Sequence, residues 1–237
     1  MNPAPVPAAV PELAPLIALV GADGSGKSTL APDLLAHVAL SRPAQQGYLG
    51  LGSGPLGERI KAWPLIGPPL ERFLSDRARR ARDPDGNIPD VATAIVLYRY
   101  SLKRRRRWGQ IMVLRQNGIA VITDRYPQAE VPGFYDGPGL SAARSSGTII
   151  PWLAARERRL YAQMAAYVPT LVVRLNIDID TALARKPDHE RSLLERKIAA
   201  TPVLTFNGAP ICDIDARLPY VEVLALAKAA ADRALAQ

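Results

Sequence analysis

Apolar positions fall into two patterns along this chain. Leu16-Ile17-Ala18-Leu19-Val20 is a continuous aliphatic run, too short for an ordinary helix, and it predicts a strand buried on both faces. Ile119 to Asp124 and Leu171 to Leu175 repeat that pattern, Pro210 to Asp215 predicts a last strand, and Gln46 to Gly52 a short one entering a Gly-rich loop. Between them the spacing becomes helical. Leu30, Leu34, Leu35 and Val38 share one face, and Val91, Ile95, Leu97, Tyr98, Leu102, Ile111 and Leu114 predict a long helix over 88–117 that stops at Asn117-Gly118. Further helices are predicted over 152–167, from Asp180 to Arg185, and from Val221 to Leu235. Strands alternating with helices give an α/β class with a central parallel sheet flanked by helices in three layers.

The prolines of Trp63-Pro64-Leu65-Ile66-Gly67-Pro68-Pro69 bar a helix there, so residues 52–90 read as an insertion of loops and short helices, one of them over 70–82. Residues 127–151 are Gly-, Ser- and Pro-rich and read as loop, with Asp136-Gly137-Pro138 as the sharpest turn. Residues 1–15 are Pro- and Ala-rich, without the basic segment and apolar core of a secretory signal, and read as a flexible tail. Residues 16–237 then form one domain, a size at which a single α/β core is normal.

Composition narrows the classes. No apolar run approaches the ~20 residues of a membrane span. Cys212 is the sole cysteine, which excludes an internal disulfide and a cysteine metal cluster, and a cytoplasmic location is expected. A net charge of +8 favours anionic partners. Lys103-Arg104-Arg105-Arg106-Arg107 concentrates that charge in the middle of the long helix; a solvated face or phosphate-binding edge is favoured there over a nucleic-acid or lipid patch, and no aromatic residues interleave it as a single-strand stacking platform would need. His37 lies beside an apolar stripe with no second histidine or acidic cluster nearby and reads as a partly exposed helix residue.

Candidate chemistry begins where the first strand ends. Gly21-Ala22-Asp23-Gly24-Ser25-Gly26-Lys27-Ser28 satisfies G-x-x-x-x-G-K-S/T between a strand and a helix, the context a phosphate-binding loop requires. Glycines let backbone N–H groups approach phosphate oxygens, and the helix that follows turns the positive end of its dipole toward them. Gly21, Asp23, Gly24, Ser25, Gly26, Lys27, Ser28 and Thr29 are the expected nucleotide-binding positions, with Lys27 reaching the β- and γ-phosphates of ATP and Ser28 ligating Mg²⁺. Asp124 ends a strand, where a P-loop enzyme needs a carboxylate beside its phosphate cradle, and Arg125 and Tyr126 follow it.

With the loop, Asp124-Arg125-Tyr126 and the late basic segment together, the chain resembles the thymidylate kinase-like branch of the P-loop nucleotide kinases, from roughly Leu16 to its end. That resemblance implies a P-loop kinase fold in which Asp23 contacts the sugar hydroxyl of the acceptor and Arg125 helps hold the acceptor phosphate. It also implies that Asp124 sits near Mg²⁺, that Tyr126 lies on the acceptor side, and that a lid at about 185–196 closes over the phosphates through Arg185, Lys186 or Arg191. Two segments depart from the pattern. The long helix carries Leu97-Tyr98-Arg99-Tyr100-Ser101 where the family has an arginine signature, leaving Arg99, Lys103 and Arg104 as candidate replacements. After Tyr126, Pro127-Gln128-Ala129-Glu130 replaces the stretch that faces the base.

Three readings stay open. One is a kinase that transfers the γ-phosphoryl of ATP to a nucleoside monophosphate, dTMP first; another is a related kinase of a sugar or sugar phosphate in surface-polysaccharide metabolism. The third is a P-loop ATPase or binding module that uses its basic run. The expected partners are a nucleoside triphosphate and a small phosphoryl acceptor, with a homodimer, nucleic acid or a membrane surface left open.

Overall fold

The computed structural model describes residues 13–50, 90–133, 136–141 and 147–236. Most of the tail at 1–15, nearly all of the insertion at 52–90 and the helix expected over 70–82 lie outside the described residues. The elements are β1 (Leu16–Gly21), α1 (Lys27–Val38), β2 (Ala44–Tyr48), α2 (Val91–Gln116), β3 (Ala120–Asp124), α3 (Ile149–Ala165), β4 (Leu171–Asn176), α4 (Ile179–Arg185), α5 (Arg191–Ala200), β5 (Ile211–Asp215) and α6 (Tyr220–Leu235). A 3₁₀ turn at Thr201–Val203 follows α5.

The strands form one all-parallel sheet in the order β2-β3-β1-β4-β5, flanked by helices, consistent with a P-loop kinase-like fold. β1 is central and buried along its whole length, as its unbroken aliphatic run requires. Its even and odd residues divide the core. Ile17 and Leu19 pack under α1 and α6, whereas Leu16, Ala18 and Val20 face Trp108 of α2 and Tyr161 of α3. Parallel order carries every strand's C-terminal end to one edge, so the loop after β1 and the residues after β3 lie side by side; Leu19 and Asp124 are register partners.

Local chemistry sets the ends. The Asp90 carboxylate accepts a hydrogen bond from Thr93 N at 2.6 Å and starts α2, and Asp178 does the same for α4 through Thr181 N at 2.7 Å. α2 ends at Asn117 and Gly118, whose φ of 77° only glycine adopts without strain. α3 begins inside the stretch read as loop, because Pro151 occupies the first turn, where its missing N–H costs nothing. α5 was not legible as a separate element, being masked by the charged residues on both sides of its start.

The apolar positions of the long helix do not all face inward: Leu97 and Ile111 are buried, with Tyr98 and Leu114 packed against the core. Val91, Ile95 and Leu102 are exposed, and the inward stripe runs through Thr93, Leu97, Ser101, Arg104, Trp108, Ile111 and Arg115. Polar groups reach the interior because partners wait there. Ser101 Oγ donates to Glu157 Oε1 at 2.5 Å, and Leu140 N donates to Glu157 Oε2 at 2.7 Å. His37 behaves as expected, half-buried with its ring Nε2 at 2.7 Å from Asp232 Oδ1.

Candidate functional site

The loop after β1 is shaped by its glycines. At Gly21, φ is 145° and an added Cβ would lie 2.5 Å from the Leu175 carbonyl oxygen, so only glycine fits between β1 and β4. Gly26 precedes α1 with φ of 92°, and a Cβ there would meet nothing within 4 Å, leaving that side of the loop open to a ligand. No side chain caps the first turn of α1 and no acidic residue occupies it, so its backbone donors and dipole favour an anion.

Lys27 is buried and donates from Nζ to the carbonyls of Gly21 at 2.8 Å and Ala22 at 3.0 Å. Burial and the nearby Arg125 push its ammonium below the ordinary lysine range, with Asp124 and Asp23 opposing. Ser28 Oγ lies 3.4 Å from Asp124 Oδ2, and the other Asp124 oxygen is buried without a hydrogen-bond partner among the described residues. An orphaned carboxylate oxygen beside a hydroxyl fits the protein share of a Mg²⁺ shell, in which hard oxygen ligands from protein, phosphate and water combine. Ser25 Oγ is likewise buried without a partner, inside the loop.

A cleft open to solvent adjoins this loop and is lined by Asp23, Lys27, Arg125, Asp136, Lys197 and Phe206 among others. Its polar wall is a chain of alternating charges. Lys197, on α5, is ion-paired with Asp23 Oδ2; Arg125 lies 3.6 Å from both Asp23 and Asp136; Asp136 is ion-paired with Arg104 of α2. Burial alone would raise Asp23, but Lys197 and Arg125 outweigh it and hold the carboxyl at about 2. Arg125 is held above the ordinary arginine range, chiefly by Asp136. Burial acts against Asp136, and the two arginines overcome it and keep it low.

Arg125 also carries the backbone signature of a positioned residue. Its φ is 77°, its N–H donates to Leu19 O at 3.1 Å, and Thr123 Oγ1 donates to its carbonyl at 2.6 Å. Tyr126 lines the cleft but is mostly buried, packed edge-on to Trp108 at 5.5 Å between ring centroids, with its hydroxyl donating to Tyr167 O.

Of the other residues expected in the site, Arg185 reaches the loop, donating to Gly24 O at 3.2 Å and Ala216 O at 3.0 Å. Thr29 lies in the first turn of α1. Arg191 instead pairs on the surface with Asp180 at 3.2 Å and Glu195 at 3.0 Å. Arg99 is exposed and does not line the cleft. Arg104 is the member of the basic run that joins the site, through Asp136; Arg107 turns onto the Tyr48 ring and the Gly50 carbonyl, and Arg105 and Arg106 face solvent.

Sequence reasoning missed Asp136, Lys197 and Phe206. Asp136 was legible only as a turn residue, and Lys197 stands just past the expected lid. Phe206 belongs to three consecutive residues with positive φ, Phe206, Asn207 and Gly208, a conformation no composition rule signals for phenylalanine. Glu130 stabilises that turn, accepting from Thr205 N at 2.7 Å, Thr205 Oγ1 at 3.1 Å and Asn207 N at 3.0 Å.

No protein-family model matches the chain. It is 45% identical over 228 residues to the uncharacterized ATP-binding protein YghR of Escherichia coli (strain K12), covering 96% of this chain and 89% of that protein. It is 46% identical over 210 residues to the uncharacterized ATP-binding protein YghS of the same strain, covering 88% of this chain and 89% of the relative.

Proposed function

The chain belongs to the family of the ATP-binding proteins YghR and YghS, and on that premise we propose that it is an ATP-dependent phosphotransferase whose acceptor is a phosphate monoester. The observation that carries this reading is the position of Arg125 and Lys197 on either side of Asp23, within one cleft that begins at the phosphate-binding loop. An acceptor phosphate entering the cleft exchanges the Asp23 carboxylate for its own oxygens on these two cations. Its attacking oxygen is already anionic and needs no base. A free hydroxyl does need one, and a carboxyl held at about 2 is poorly matched to take its proton.

Each residue then has a part. The loop amides and Lys27 hold the β- and γ-phosphates of ATP, Arg185 braces the loop at Gly24, and Arg125 and Lys197 spread positive charge over the transferring group. Ser28 and Asp124 would hold Mg²⁺, which when bound neutralises phosphate charge. Asp23 orients the acceptor by accepting from a sugar hydroxyl. α5, which brings Lys197 to the cleft, would act as its lid, closing over bound phosphates and excluding water that would otherwise hydrolyse the donor.

By resemblance to thymidylate kinases, dTMP is the first acceptor to test. A sugar phosphate is the second, favoured by a specific arrangement. Gln128 and Glu130, which stand where the base-facing stretch would be, spend their side chains on backbone groups: Gln128 on Glu130 N and Val131 N at 2.7 and 2.8 Å, Glu130 on the Phe206 turn. An ATP-consumption screen across nucleoside monophosphates, sugar phosphates and free sugars tests the reading. Turnover confined to phosphorylated acceptors supports it, and turnover only with free sugars overturns it.

A further inference from the structure

Among the described residues, the outer sides of α2 and α3 together present a cationic and apolar surface. The two helices pack side by side and run in the same direction, since Ala94 and Leu97 cluster with Ile150 and Leu153, Ser101 meets Glu157, and Arg104 meets Tyr161. Their buried stripes face the sheet and each other, so the opposite stripes share the outside. On α2 that stripe is Ile95, Arg99, Leu102, Arg106 and Val113, spaced by whole turns, with Ile95 45%, Leu102 44% and Val113 54% exposed. On α3 it is Trp152, 55% exposed, with Arg156 stacked over its ring at 4.8 Å and Arg159 two turns on.

The exposed charge of these two helices is of one sign. α2 contains no aspartate or glutamate, and Glu157, the sole acid of α3, is buried beneath Ser101 and Leu140. Arg105 and Arg158 are also exposed beside the stripes. A 26-residue helix extends about 39 Å, at ~1.5 Å per residue, so the cations are spread over a broad face and not gathered into a pocket.

From this pattern we infer that the outer face of α2 and α3 docks on an anionic lipid bilayer, with the arginines on headgroup phosphates and Ile95, Leu102 and Trp152 in the boundary between headgroups and acyl chains. A second copy of the chain does not fit, because it would oppose arginine to arginine. Nucleic acid would match the charge but leaves the aliphatic residues without a partner, and Trp152 alone is no series of stacking platforms. Interfacial binding asks for both features, apolar residues interleaved with arginines whose stems lie along the same surface. No helix among the described residues is long and apolar enough to cross a membrane, so the contact is peripheral. It does not depend on the kinase reading.

The test is cosedimentation of the whole protein with phosphatidylcholine vesicles, with and without phosphatidylglycerol, at low and high salt. Binding is expected to require phosphatidylglycerol and to weaken at high salt. Arg106→Glu with Arg159→Glu should lower partitioning roughly tenfold or more, the effect expected of reversing two cations near such a surface. Leu102→Ser with Trp152→Ser should lower it several-fold at unchanged charge. All four positions are exposed, and an unchanged melting temperature for each variant shows that folding is intact; the lipid and salt dependence of the wild type requires no variant. Absence of binding to phosphatidylglycerol vesicles overturns the proposal. So does indifference to the Leu102/Trp152 pair combined with retention on single-stranded RNA, which marks a general polyanion site, or self-association blocked by the same substitutions.

Discussion

Arg104 and Asp136, 32 residues apart in sequence, meet as a buried ion pair that closes the inner end of the charge chain in the cleft. Arg104 Nη1 also donates to the Asp136 carbonyl at 2.7 Å and to Tyr161 Oη at 3.1 Å, while Nε donates to Leu49 O at 2.9 Å. The arginine therefore fixes both the backbone and the carboxylate of a residue whose φ is 63°. Arg104→Met leaves a buried carboxylate without its main partner and is expected to cost about 3–5 kcal/mol, the usual penalty of breaking a buried pair from one side. Adding Asp136→Asn should recover part of that loss, and urea denaturation of the single and double variants measures both.

Lys27→Ala should remove the ATP-dependent rise in melting temperature and abolish phosphoryl transfer. Because Lys27 Nζ satisfies the Gly21 and Ala22 carbonyls, the substitution should also lower ligand-free stability by about 1–3 kcal/mol, the cost of leaving buried polar groups unpaired. A variant that keeps its ATP-linked shift in a calorimetric scan would remove Lys27 from the phosphate site.

The pH dependence of Asp23 has a definite sign. Its folded pKa, about 2, lies below the ordinary value of 3.8, so it stabilises the fold above that value and the contribution is lost as pH falls toward 2. The shift corresponds to about 2 kcal/mol at most, given that Lys197 is itself partly exposed. Asp23→Asn should therefore be less stable than wild type at neutral pH, with the difference vanishing near pH 2 in denaturant titrations. In the proposed reaction the same substitution should raise KM for the acceptor more than it lowers kcat.

Gly21→Ala and Gly26→Ala separate packing from ligand access. The first sets a Cβ against the Leu175 carbonyl at 2.5 Å and should destabilise the free protein by several times the thermal energy, roughly 1–3 kcal/mol or more. The second meets no atom and carries only the strain of φ near 92°, so its larger effect should fall on nucleotide affinity. Thermal melts with and without ATP distinguish the two patterns.

Strands and the phosphate-binding loop were legible because continuous aliphatic runs and fixed glycine spacing are local signals. Asp124 and Arg125 were legible for the same reason, one ending a strand and the other following it. Lys197 and Asp136 were not, since their roles come from reaching Asp23 and Arg125 across 174 and 11 residues, which no local pattern encodes. The inward face of α2 was only partly legible, through Leu97 and Ile111, because hydrophobic periodicity marks apolar side chains alone. Here Arg104 and Ser101 hold the interior through Asp136 and Glu157, and Ile95 and Leu102 stand outside.

The central position of β1 has a consequence for synthesis. β1 leaves the ribosome first, yet its two neighbours are β3, paired from Leu16 to Val121, and β4, paired from Ile17 to Leu171. Both edges of this apolar strand stay open until β3 has been made, and one stays open until β4 follows, a state prone to pairing with other chains. The nascent chain is thus expected to depend on holdase chaperones until β4 emerges, and polypeptides released before Leu171 should aggregate even though they contain the entire phosphate-binding loop.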